Sequence, residues 1–95
     1  MQTMSGTLLA MLKTDLGIRA TTAYDTRLEQ LLTVAQNAII KEGASTLDAS
    51  DPLDQQLIVM YAAWLWRRRD NMDGMPRMLR WHINNRVFSE VGQDG

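Results

Sequence analysis

Apolar residues in this chain recur every three or four positions and nowhere alternate over a sustained run, a pattern that predicts helices and no strands. Leu8, Leu12 and Leu16, with Leu9 beside them, mark a first helix over about residues 5–16. Gly17 followed by Ile18 has the form of a left-handed helix cap with a hydrophobic residue after it. A second helix over 23–42 puts Tyr24, Leu28, Leu31, Leu32, Ala35, Ala38 and Ile39 on one face. Thr26, Glu29, Gln30, Thr33, Gln36 and Asn37 lie opposite, and Val34 and Ile40 project from the edges of that polar side. Thr22 or Asp25 can accept bonds from its first free N–H groups, and Gly43 ends it. Residues 44–50 have the composition of a mobile loop, with Leu47 available to pin it to the core. Ser50-Asp51-Pro52 opens a third helix over 51–70, and Pro76 opens a fourth over 76–90. The expected fold is an all-α bundle of four main helices forming one domain over 1–95, with ends fraying at about 1–4 and 91–95.

The third helix does not fit a one-sided pattern. Leu53, Leu57, Met60, Tyr61 and Trp64 form its main apolar stripe, yet Val59, Ala62 and Trp66 lie nearly opposite, with Ile58 and Leu65 between. A helix apolar on all sides is buried on all sides. Either the other three helices wrap it, or the side carrying Val59, Ala62 and Trp66 meets a neighbouring subunit. In the fourth helix Pro76, Leu79, Ile83 and Val87 make a core stripe and Arg77, Arg80 and Asn84 a polar one. Trp81, Asn85 and Phe88 fall on a third sector. Two aromatics there form a second candidate partner surface, because aromatics are enriched at interfaces.

Composition removes most chemistry. Ninety-five residues with 45% apolar content make one globular domain. There is no Cys, so disulfides, thiolate metal sites and Cys nucleophiles are excluded. His82 stands without a second His or a Cys at ligand spacing and flanks the core stripe of the fourth helix. Asp51, Asp54, Asp70 and Asp73 are read as helix caps and surface charge rather than catalytic pairs. No glycine-rich phosphate loop occurs, so no enzyme, metal or cofactor is expected. The net charge of −1 gives no general attraction to nucleic acid. The longest apolar run, at ten residues, is too short to span a bilayer, and residues 1–7 lack the form of a signal peptide; an intracellular soluble protein is expected. Seven Met is high for this length; they serve the core or surfaces that repack on binding.

Arg67, Arg68 and Arg69 form the one dense cationic cluster. Successive helical residues point about 100° apart, so the three cannot make a flat patch. They suit a network at the helix end, where cations meet the helix dipole and Asp70 and Asp73 are near. The alternative is contact with DNA phosphate or an acidic partner, extended by Arg77 and Arg80.

Four segments carry a resemblance. Met11-Leu12-Lys13-Thr14-Asp15-Leu16-Gly17-Ile18 is an opening short helix with a Leu-Gly-Ile turn. Asp25, Leu28, Leu31, Leu32, Ala35 and Ile39 precede Gly43. Leu57 to Trp66 is an apolar helix ending near Arg68, Arg69 and Asp70. Met75-Pro76 leads to Leu79, Ile83, Asn84 and Asn85. In this order and spacing, across about residues 8–88, the chain resembles the head–tail connector (adaptor) family of tailed double-stranded-DNA bacteriophages and prophages. The loop 44–50 is short beside that of relatives. The resemblance implies a non-catalytic virion protein of the phage neck, present in the host cytoplasm during assembly. It would form a ring with itself beneath the portal protein, extend the channel through which double-stranded DNA passes without sequence recognition, and dock the stopper or tail-completion protein. A heterologous ring needs two different adhesive faces per subunit, and the Val59–Ala62–Trp66 side and the Trp81–Phe88 sector are the candidates. The other function weighed is a small nucleic-acid-binding accessory protein for packaging or regulation.

Overall fold

The computed structural model describes residues 4–18, 20–68 and 74–93. These form α1 (Met4–Leu16), α2 (Asp25–Lys41), α3 (Pro52–Arg68) and α4 (Arg77–Gln93). No strand occurs among the described residues. The protein is an all-α assembly of four helices, as the apolar periodicity predicts. α4 continues to Gln93, past the fraying point expected near residue 91.

Local chemistry accounts for most boundaries. Gly17 takes φ 76°, its N–H donates to the Thr14 carbonyl at 3.2 Å, and the Ile18 N–H reaches back to Lys13 at 3.0 Å. Gly43 repeats the arrangement at φ 129°, with Gly43 donating to Ile40 at 3.0 Å and Ala44 to Ile39 at 3.4 Å. In both, a residue without Cβ absorbs the left-handed turn, and two carbonyls at the helix end gain donors. Asp51 caps α3, its Oδ2 accepting the N–H groups of Leu53 and Asp54 at 3.1 Å each. Pro52, which has no N–H to satisfy, follows. Pro76 stands one residue before α4, and its carbonyl accepts the Arg80 N–H at 3.1 Å.

The start of α2 departs from expectation. Tyr24 holds the cap position and makes no side-chain capping bond. Thr22 contributes only its carbonyl, to the Asp25 N–H. The Asp25 carboxylate lies 2.8 Å from Lys13 Nζ and ties α2 to α1 instead.

α3 is the axis of the molecule. It packs against α1, α2 and α4, and α1 also packs on α2. Leu8 and Leu12 of α1, Leu28 and Ile39 of α2, Ile58 and Ala62 of α3, and Leu79 and Ile83 of α4 are buried. Each fully buried Leu or Ile contributes about 1.5–3 kcal/mol relative to exposure. The molecule is flat, extending 46 × 38 × 17 Å. Its radius of gyration, 13.5 Å, exceeds the roughly 12 Å expected of a compact chain this long. The loop 44–50 is tied down: Ala44 is fully buried and Leu47 half-buried against the core. The Asp48 N–H donates to Asp54 Oδ2 at 2.8 Å, and Gln55 Nε2 donates to the Ala49 carbonyl at 2.9 Å.

Candidate functional site

The sequence pointed to two partner surfaces, and the structure treats them differently. Val59 and Ala62 are core residues, 6% and 0% exposed. Buried within the chain, they are unavailable to a neighbour, and their assignment to an interface is corrected. Trp66, the third member, is half-buried, and its ring meets Tyr24 edge-on at a centroid distance of 5.2 Å. It seals the α2–α3 junction within the chain. The expected core stripe is covered unevenly, with Leu57 and Tyr61 buried. Leu53 is 81% exposed, and Met60 and Trp64 are only half-buried.

The second surface remains open. α4 spends one narrow face on the fold, burying Leu79 and Ile83 with Val87 partly covered. At about 100° per residue, Arg77, Trp81, Asn84 and Phe88 fall on the opposite side, with Met78 flanking them. Trp81 is 56% exposed, Phe88 77% and Met78 61%. The Trp81 ring has the His82 ring edge-on beside it, at 5.0 Å. Large apolar side chains aligned on one outward face are unusual for a surface with no partner.

The arginines do not converge. Arg67 reaches α1, with NH2 3.4 Å from Asp15 Oδ2. The Arg68 guanidinium lies over the Trp64 ring, 5.0 Å from its centroid. Arg80 pairs with Glu42 at 2.9 Å, joining α4 to the end of α2. Arg77 has no ion-pair partner among the described residues and is exposed. Arg69, with Asp70 and Asp73, lies outside the described residues.

Sequence reasoning missed the strongest polar feature. Asp54, read as surface charge, is 5% exposed. Its carboxylate accepts a two-pronged contact from Arg86 of α4, Nε at 2.8 Å and NH2 at 3.2 Å. Arg86 NH2 also donates to Thr46 Oγ1 at 3.2 Å. One turn on, Glu90 accepts the N–H and hydroxyl of both Ser45 and Thr46. The Thr46 hydroxyl bond, with the backbone donors of Thr46 and Ser45, holds the Glu90 carboxyl below its ordinary range. Bonding to Asp54 pushes the Arg86 guanidinium still higher. The network fastens α3, α4 and the 44–50 loop together. A signal was present in the spacing: Asp54 precedes Leu57, Ile58 and Tyr61 at core intervals, and Arg86 continues the Leu79–Ile83 stripe.

Among the described residues no group of His, Cys, Asp and Glu is placed to hold a metal ion. No described helix is long and apolar enough to cross a membrane. Comparison with protein-family models, with curated proteins and with solved structures finds no match.

Proposed function

We propose that this protein is a structural adaptor of the head–tail connector in a tailed double-stranded-DNA bacteriophage or prophage. It works as a ring of identical subunits beneath the portal protein, prolonging the DNA channel and seating the stopper or tail-completion protein. It acts by assembly and carries out no reaction. The observation that carries this reading is the outward face of α4, where Trp81 and Phe88 stand on a helix fastened to the core by its other side. The order of motifs from Met11 to Asn85 supports it, because that order resembles the connector family.

A DNA-binding accessory role has less support. Arg67, Arg68 and Arg80 are each turned to a different partner inside the chain. A net charge of −1 also suits a channel that lets DNA pass, since a strongly cationic lining would retain it. The test is a mass measurement by light scattering over a concentration series, alone and with portal protein. Concentration-dependent assembly above the 10.8 kDa monomer is expected. A monomer under every condition, portal included, overturns the proposal.

A further inference from the structure

The uncovered side of α3 is a trough. α1 and α4 both pack on α3, and little packing joins them to one another. Along α3 lie three hollows: one of about 380 Å³ against α4, one of about 400 Å³ against α1, and one of about 220 Å³ that touches both. Gln56, Met60 and Asp15 are each shared by two of the three, so the hollows adjoin one another along α3. The trough floor follows α3 through Leu53, Gln56, Met60 and Trp64 to Arg67, and Asp15 of α1 rims one end. His82 and Arg86 of α4 rim the other end, beside Leu53.

We infer that this trough receives the outer face of α4 from a second copy of the chain; the inference rests on the assembly reading above. Length is the first argument. Leu53 to Trp64 and Arg77 to Phe88 each span eleven residue steps, about 16 Å of helix axis. Side-chain chemistry is the second. With the incoming helix antiparallel to α3, Phe88 meets Leu53, Trp81 meets Met60, and the amides of Asn84 and Asn85 fall beside Gln56. Thioether–aromatic contact and amide–amide bonding are both favourable. Charge selects this direction over its reverse. Antiparallel docking brings Arg77, which lacks an ion-pair partner among the described residues, to Asp15, which Arg67 holds only at 3.4 Å in the open. Parallel docking sets Arg77 against His82 and Arg86 and away from Asp15. Trough and α4 face are different surfaces, so the contact is heterologous, and repetition gives a ring or a filament.

Cysteine cross-linking tests the register directly, because the chain has no Cys. Gln56→Cys and Asn85→Cys alter exposed residues only. Mixed and mildly oxidised, the two variants are expected to give a disulfide joining one of each. Charge reversal is the second arm, read by sedimentation. Asp15→Arg and Arg77→Asp each lower association about tenfold, and the double variant recovers most of that loss. Assembly of the unmodified chain with no mixed disulfide and no response to either reversal overturns the docking mode and leaves the ring reading standing. A chain that stays monomeric alone but joins a ring on portal protein also overturns it, since copies then meet only through portal. A cross-linked assembly that stops at two copies upholds the contact and overturns the ring.

Discussion

At the residue scale the decisive group is Asp54. A carboxylate at 5% exposure is costly unless paired, and Arg86 supplies a two-pronged partner from another helix. Removing one partner strands the other in a poorly hydrated place. Arg86→Leu is therefore expected to destabilise the fold by about 3 kcal/mol in urea denaturation. Replacing both residues with Leu should recover much of that loss, since the pair is needed chiefly because each charge is there. A single and a double variant of equal stability would show that the pair is not coupled. Glu90 behaves differently, because its carboxyl is held below the ordinary value of 4.5 by the Thr46 hydroxyl and the neighbouring donors. A carboxyl lowered on folding stabilises the protein fully above 4.5, and that stability is lost as pH falls through the lower folded value. Asp48, lowered by its bonds to Ser50, acts in the same direction. Melting temperature measured from pH 7 to pH 3 should fall on the acid side, and Glu90→Gln should flatten part of that fall by lowering the plateau.

At the scale of elements, the glycine caps and proline starts were legible because each is settled by a few adjacent residues. Gly17 and Gly43 differ in their surroundings, which gives an ordered prediction. A Cβ at Gly17 meets nothing within 4 Å, so Gly17→Ala bears only the strain of its positive φ, about 1 kcal/mol. A Cβ at Gly43 would stand 2.9 Å from Val87 Cγ1, so the same change there also pushes α4 off the end of α2. Gly43→Ala should cost about 1 kcal/mol more than Gly17→Ala, and Val87→Ala should relieve that excess in a double-mutant cycle. Equal costs at the two glycines would place no close packing at Gly43. What the sequence did not disclose depends on distant partners. Asp25 looked like a cap and instead answers Lys13, a residue of another helix. Periodicity ordered the residues around α3 correctly but was silent on the direction from which neighbours arrive. The expected stripe is buried at Leu57 and Tyr61 but open at Leu53 and only half-covered at Met60 and Trp64; of the two readings of the side through Val59 and Ala62, wrapped by the chain's own helices or facing a neighbour, burial of both residues matches the first. Asp54 and Arg86 were hidden for the same reason: each lies on a core face, and neither alone reveals that the other is opposite.

At the scale of the molecule, stability and assembly rest on separate surfaces, which makes them separable by substitution. The fold is held by α3 buried against three helices and by the Asp54–Arg86–Glu90 network. The outer face of α4 contributes little to either, given the exposure of Trp81 and Phe88. Trp81→Ser and Phe88→Ser should shift the unfolding free energy by less than about 0.5 kcal/mol, as exposed substitutions do, while markedly weakening self-association. Ala62→Asp and Trp66→Glu should do the opposite. The first places an unpaired charge at a fully buried site, and the second breaks the Tyr24 contact and opens the α2–α3 junction. Either loss, of several kcal/mol, is comparable to the whole stability of a domain this size. Denaturation midpoints and sedimentation on the same four variants decide the matter. If Trp81→Ser and Phe88→Ser unfold the chain, α4 packs through its aromatic face and the partner surface is elsewhere. If they leave both stability and association unchanged, the exposed aromatics have no role in assembly, and the connector reading loses the observation on which it stands.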